Sequence, residues 1–377
     1  MKAFARIIWC SLLLLACGCR IEPPLYLRQP VDMEVDLAMD LEVDLLWQAD
    51  WKARWTYAWD PQANGPLGYE APRSTRMHTY AHNAAGKIAS EQVDNFPGTS
   101  GSIRLTAGTY DFLFYNNDSE ALLFDTESSQ YDVYAYTRTI SPGLQQSTPV
   151  MTLSQKQAGT RADTATETDD EPVVLQPDGL YSGFLQDRLI SDNPEDWELI
   201  DGRRVARITG TLLPSDFIWL VQVRLLNNNG RVIGSAGGCA LTGMAGSVDL
   251  KTGQTGTKTV TVPTDLYVNR SVDPDLMGAR FVSFGLPGCN ACDPQSVAAA
   301  PAGTHLLVLS ILYYNNTYNN IRIDVTDQLR ALPTGGVISL EIDVNDFPPE
   351  SGQDKPGGFD ALLQDWEEHT GNVTITY

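Results

Sequence analysis

The chain has 377 residues, with 26 lysines and arginines against 47 aspartates and glutamates, a formal net charge of −21 at pH 7. That length suggests two domains more readily than one. Such an acidic surface repels phosphate, so nucleic acid is excluded as a partner.

At the N-terminus, Lys2 and Arg6 precede an apolar run over 7–16. The run has signal-peptide length and is too short to span a bilayer. It ends in Ala16-Cys17-Gly18-Cys19. A lipoprotein signal peptidase needs a small residue before the cysteine that carries the lipid, and Gly18 fits that role before Cys19. Ala16 before Cys17 fits less well, with Leu15 behind it. The reading is therefore a signal peptide over 1–18, lipidation with palmitate-type chains at Cys19 and a tether over 19–30. An ordinary cleaved signal peptide is the alternative. More than one acyl chain suffices for stable anchoring. No later apolar run approaches the ~20 residues of a spanning helix, so this lipid is the expected tie to a membrane.

Residues 31–45 alternate apolar and acidic positions, from Val31-Asp32-Met33-Glu34-Val35 onward. A period of two predicts a long strand with one buried and one acidic face, and the acidic face discourages edge-to-edge aggregation. Trp47, Trp51, Trp55 and Trp59 follow at spacing four. They read as packing residues before a sugar-stacking platform. Strands are then expected over 76–82, 102–106, 110–115, 122–124 and 131–137, with Gly, Asn and Pro turns between them. Residues 154–177 read as a solvated, flexible acidic loop, because the stretch 154–171 has almost no large apolar side chain. Within it, Asp163-Thr164-Ala165 resembles the short O-glycosylation acceptor of Bacteroidota, which makes Thr164 a candidate glycosylation residue.

Strand patterning resumes over 204–212, 219–226, 231–235, 247–250, 258–262, 279–284, 305–314, 321–325, 337–344 and 372–377. Asn227-Asn228-Asn229-Gly230 is a hairpin signal, and 359–368 is a candidate short helix. The expectation is an all-β protein of two tandem β-sandwich domains, over 31–195 and 196–377. Ala107-Gly108-Thr109-Tyr110 with Tyr115-Asn116-Asn117 is echoed by Ala302-Gly303-Thr304-His305 with Tyr314-Asn315-Asn316. That echo suggests a related strand in each sandwich.

Cys239, Cys289 and Cys292 lie beyond Cys19. Cys289 and Cys292 form a C-x-x-C between Pro287-Gly288 and Asp293-Pro294, which reads as a turn. A local disulfide or idle thiols is the main expectation. Metal would need four ligands, and Cys239 is the one further candidate. Redox chemistry would need a thiol at a helix start. Of the 4 histidines, His78 and His82 sit four apart, but on an expected strand and with no third ligand beside them, so metal is not expected. No G-x-S-x-G, P-loop, dinucleotide fingerprint or H-E-x-x-H occurs. No cofactor and no enzymatic activity are expected.

Several segments together resemble the fimbrillin-like lipoproteins of Bacteroidales, in particular a domain-of-unknown-function family related to subunits and anchors of type V pili. They are Cys19-Arg20 with Pro24-Leu25-Tyr26-Leu27, Ala107-Gly108-Thr109-Tyr110-Asp111 and Phe114-Tyr115-Asn116-Asn117-Asp118. The second half adds the longer segment 241–250, Leu-Thr-Gly-Met-Ala-Gly-Ser-Val-Asp-Leu, then Asp324-Val325-Thr326-Asp327-Gln328, Gly357-Gly358-Phe359 and Asp365-Trp366-Glu367. The resemblance implies transthyretin-like or Ig-like sandwiches on an outer-membrane lipoprotein at the cell surface. It implies an anchor or accessory subunit of a fimbria-like assembly, whose partners are fimbrillin-like subunits joined by strand donation. It carries no catalytic residues. No protease site is seen behind the first strand, which sets this chain apart from a shaft subunit. The alternative is a surface module that binds glycan or a host protein.

Overall fold

The computed structural model describes residues 31–39, 68–126, 132–140, 171–268, 274–348 and 373–376. The tryptophan series, Cys19, Thr164, the proposed helix over 359–368 and the end of the acidic strand lie outside them.

The first half supplies β1 (Val31–Met39), β2 (Ser74–His82), β3 (Ile88–Pro97), β4 (Ser100–Leu105), β5 (Gly108–Asn116), β6 (Leu122–Asp125), β7 (Tyr134–Thr137), β8 (Tyr181–Ile190), β9 (Glu198–Ile200) and β10 (Arg203–Pro214). One sheet runs in the order β3-β2-β5-β8-β10-β1-β4, with β9 on β10. Its two ends, β3 and β4, are consecutive strands, so the sheet curls around its own core. β1 carries out the alternation read from the sequence. Met33 and Val35 are buried, whereas Glu34 is exposed and accepts a hydrogen bond from Arg207 on the parallel neighbour β10 at 2.9 Å. In β5 both faces are covered, which is why it reads as an apolar run. Tyr110, Phe112 and Phe114 stack along the inner face with Met77 and Ile208. Leu113 and Tyr115 face the other way.

The second half supplies β11 (Phe217–Leu226), β12 (Val232–Ala245), β13 (Ser247–Asp249), β14 (Thr259–Thr264), β15 (Tyr267–Val268), β16 (Leu276–Ser283), α1 (Pro294–Ala298), β17 (Leu306–Tyr313), β18 (Tyr318–Asp324), α2 (Thr326–Ala331), β19 (Gly336–Asp343) and β20 (Val373–Thr376). Two sheets, β15-β16-β11-β19-β20 and β14-β12-β17-β18, share one core. Trp219, Phe281, Leu241, Leu309 and Ile338 are all fully buried in it. Burial of each such side chain contributes roughly 1.5–3 kcal/mol. The first echoed pair falls at the two ends of β5 and the second flanks β17, each an interior strand of its sheet.

The fold is all-β as expected, but three details differ from the sequence reading. First, the chain leaves the first sheet after Pro214, not at 195–196. β10 belongs to that sheet because Ala206, Ile208 and Leu212 complete its core. The expected boundary falls instead on a 3-10 turn, Pro194–Asp196, capped by Asn193. Second, the Asn227–Gly230 turn is real, with Asn227, Asn229 and Gly230 at positive φ. Yet it carries the chain from one sheet to the other and closes no hairpin, since β11 and β12 are not paired. Third, the halves interlock. β13 pairs with β7, and Val248, Leu250 and Phe284 pack with Leu113 and Tyr115.

The segment 241–250 owes its glycines to a break in the β12–β14 ladder between Leu241 and Met244. Gly243 has φ +76, and a Cβ there would lie 2.7 Å from Thr304 O and 3.0 Å from His305 Nδ1. Its N–H donates to Glu171 Oε1 at 2.7 Å. Gly243→Ala is therefore expected to destabilise the chain by about 1–3 kcal/mol, from left-handed strain plus the displaced neighbours. Urea denaturation compared with Gly86→Ala isolates the crowding, because Gly86 has positive φ but open space around it.

Candidate functional site

A cleft of about 510 Å³ opens where the two sandwiches meet. Four kinds of segment form it. The stretch 68–73 leads into β2, loops at 116–120 and 176–181 flank β5 and β8, and Asp216 sits in the crossover between β10 and β11. Arg280 and Val282 of β16 close the far wall.

The walls are tied by main-chain contacts. Tyr69 Oη donates to Asp216 O at 2.8 Å, and Tyr181 Oη donates to Glu70 O at 2.6 Å. The two tyrosine rings meet edge-on with centroids 6.0 Å apart. Asp178 Oδ2 accepts the Glu120 N–H at 2.7 Å, and Asp118 Oδ2 accepts the Arg73 N–H at 2.7 Å. Asp216 is fully buried and accepts the Gly179 N–H at 3.1 Å. Burial pushes its carboxyl up to about 7. The Asp178 charge acts in the same direction, while the Leu180 and Gly179 amides and the Arg280 guanidinium offset part of the rise.

β16 gives the cleft a strand edge. On one side it pairs with β11 over its whole length. On the other, β15 meets it only at Met277 and Gly278. Beyond Gly278, no strand among the described residues covers that side. The Gln176 side chain instead accepts the Val282 N–H at 2.9 Å and donates to Pro263 O at 3.1 Å. A side-chain amide thus occupies a position where a neighbouring strand would present its backbone. An acid-rimmed cleft beside such an edge can receive an extended peptide or a polar ligand of similar girth.

Cys239, Cys289 and Cys292 are free thiols, the idle-thiol form of the two arrangements expected for Cys289 and Cys292. Cys289 is buried, with its Sγ–H donating to Leu286 O at 3.4 Å, while Cys292 is exposed. The intervening turn is held by Asn290 Oδ1 accepting the Cys292 N–H at 2.9 Å. Asp293 then caps a short helix, α1, that the turn reading overlooked. Burial raises all three thiols, so none is poised as a thiolate. Cys239 sits on β12 and joins no ligand cluster among the described residues.

His78 and His82 share β2 but have different surroundings. His78 is buried between Glu91, 2.5 Å from Nδ1, and the Tyr115 hydroxyl, 2.9 Å from Nε2. His82 has Asp111 and Asp187 beside it, two carboxylates that sequence spacing did not place there.

The family profile described as Domain of unknown function (DUF5119) matches residues 65–265. The chain belongs to the DUF5119 family. The matched stretch holds most of the first sandwich, the crossover at Asp216 and the second sandwich through β14. It leaves out β16, so the DUF5119 segment by itself lacks the strand edge of the cleft. Curated protein sequences gave no match. Solved structures similar to this chain include a candidate adhesin from Bacteroides ovatus (15% identity, 86% of this chain, 93% of that one, TM-score 0.47). A candidate polysaccharide-binding protein from Bacteroides thetaiotaomicron gives 10% identity, coverages of 83% and 91% and a TM-score of 0.43. The fimbrial anchor protein Mfa2 from Porphyromonas gingivalis gives 13% identity, coverages of 83% and 90% and a TM-score of 0.38.

Proposed function

We propose that this protein is a cell-surface lipoprotein of the outer membrane, held by lipid on Cys19, that works by assembly and not catalysis as an anchor or accessory subunit of a fimbria-like structure. The observation that carries the reading is the side of β16 in the cleft that, beyond Gly278, has no partner strand among the described residues. An extended segment of a fimbrillin-like subunit can add to it through main-chain hydrogen bonds, with alternate side chains entering the cleft. Among the described residues no helix is long and apolar enough to cross a membrane, and the proposed attachment is the N-terminal lipid.

Two measurements test this. Cys19→Ser is expected to abolish incorporation of a clickable palmitate and release the protein from the membrane fraction. Continued labelling of the variant would move the lipid to Cys17 or discard it. Pulldown of the tagged protein is expected to recover a fimbrillin-like subunit, and the complex should survive high salt, because backbone hydrogen bonds and apolar pockets are little screened. The cleft volume also suits a second reading, a module that binds glycan, since ligand sites run from roughly 300 to 1,000 Å³. A saturable glycan-array signal with no co-purifying subunit and unchanged surface filaments in a deletion strain would favour that second reading.

A further inference from the structure

Away from the cleft, at the other end of β5, two breaks in the sheet ladder meet. The β2–β3 register slips between Ala81 and His82. The β5–β8 register slips between Tyr110 and Phe112, whose partners are Arg188 and Leu185. Asp111 therefore faces two residues of β8, one of which is Asp187 in the left-handed region at φ 52. Bulges of this kind re-aim side chains that a regular ladder would keep apart.

Here they bring together His82, Asp111 and Asp187. One ligand atom from each lies within 4.8 Å of the other two. His82 Nε2 is 3.1 Å from Asp111 Oδ2, and Nδ1 is 3.6 Å from Asp187 Oδ1. The His82 and Asp111 side chains are only 10% and 8% exposed, while Asp187 is 65% exposed. The Asp187 N–H donates to Asp111 Oδ1 at 2.8 Å, which fixes that carboxylate. No lysine or arginine among the described residues pairs with either aspartate.

His82 Nε2 is buried and makes no hydrogen bond, although Asp111 Oδ2 is so close. The two atoms approach to 3.1 Å without forming a hydrogen bond. That is the arrangement of two ligands on one ion. A nitrogen and an oxygen each about 2.0–2.2 Å from a shared metal sit roughly 3.0–3.5 Å apart, with the metal and not the oxygen on the nitrogen's axis. We propose that His82, Asp111 and Asp187 form a binding site for a divalent transition-metal ion of the Zn²⁺ type. One imidazole with two carboxylates is a mixed nitrogen and oxygen set that suits Zn²⁺ or Mn²⁺, and it supplies too few oxygens for Ca²⁺. The exposed side, beside Asp187, leaves room for water in the remaining positions. The ion would staple β2, β5 and β8 at the end of the first sheet.

The test uses the full chain in detergent, without a histidine tag and stripped with chelator. Equilibrium dialysis against ZnCl₂, and in parallel MnCl₂ and CaCl₂, is expected to give one Zn²⁺ per chain and a rise in Tm with zinc. His82→Ala and Asp187→Asn are each expected to weaken zinc binding at least tenfold and to abolish the rise. Asp187→Asn keeps the fold in view, because Asp187 is exposed and asparagine tolerates positive φ. Glu91→Gln, beside His78, should bind as wild type. No stoichiometric zinc, binding by Asp187→Asn equal to wild type, or uptake of Ca²⁺ in preference to Zn²⁺ would each overturn the assignment.

Discussion

Trp219→Ala is expected to destabilise the protein by about 3–5 kcal/mol, the range for a large aromatic removed from a close-packed core. Trp219 lies in the middle of the second sandwich with no solvent exposure. Its ring meets Phe217 edge-on at 6.3 Å between centroids, and its Nε1–H donates to Leu332 O at 3.0 Å. Truncation opens a cavity that β11, paired on both sides by β16 and β19, cannot collapse into. It also removes one of the two donors to the Leu332 carbonyl, which keeps the Gly335 N–H at 3.1 Å, so a buried hydrogen bond is lost along with the packing. Urea denaturation followed by circular dichroism measures the loss. Trp219→Phe should recover much of the packing but not the hydrogen bond. Leu199→Ala, at a side chain 70% exposed, should change stability little. A loss below about 1 kcal/mol for Trp219→Ala would contradict the core described above. Since β16 lies directly on β11, the same substitution is expected to weaken any partner that docks on the cleft edge.

The strands were legible where burial is one-sided or total. Met33-Glu34-Val35 shows alternation and behaves accordingly. Phe112 to Tyr115 and Phe217 to Val221 are unbroken apolar runs, and each lies on an interior strand with both faces covered. Legibility failed where the chain breaks these patterns. β3, largely Ser, Glu, Gln, Asp and Asn, lies at a sheet end and has little to bury, so nothing in its composition announces a strand. β12 was seen only at its start because Gly234, Gly237, Gly238 and Gly243 interrupt it. Those glycines mark ladder irregularities, not turns. The sheet assignment of β10 and the crossing at Asn227–Gly230 depend on contacts with residues far away in sequence, which no local period contains. The His82 cluster was half legible for the same reason. The spacing of His78 and His82 is visible in the sequence. The arrival of Asp111 and Asp187 is not, because one extra residue in β8 decides it. The cleft was not legible at all, since it is made from loops and one strand edge.

The stability of the protein should carry a loss between about pH 4 and pH 7 traceable to Asp216. Its folded carboxyl sits at about 7, against an ordinary value of 3.8, so the folded state holds this proton more tightly than the unfolded chain. The contribution is therefore fully present below the ordinary value, declines as pH rises, and is gone above about 7. A difference of about 3 units corresponds to an upper figure of about 4 kcal/mol. Asp216→Asn keeps an acceptor for the Gly179 and Leu180 amides and cannot ionise. Unfolding free energies measured in urea from pH 4 to pH 8 should fall more steeply for the wild type than for the variant. The difference between the two curves is the readout, because acid groups elsewhere and the overall negative charge act on both proteins alike. Parallel curves would show that Asp216 is solvated in the folded state, contrary to its complete burial. The residue also holds the cleft together, through its main-chain oxygen on Tyr69 and its side chain on Gly179. Ionisation places an incompletely compensated charge at that junction. Hydrogen exchange at Gly179 and Leu180 should accordingly quicken above neutral pH beyond its intrinsic base catalysis in the wild type, and should not do so in Asp216→Asn.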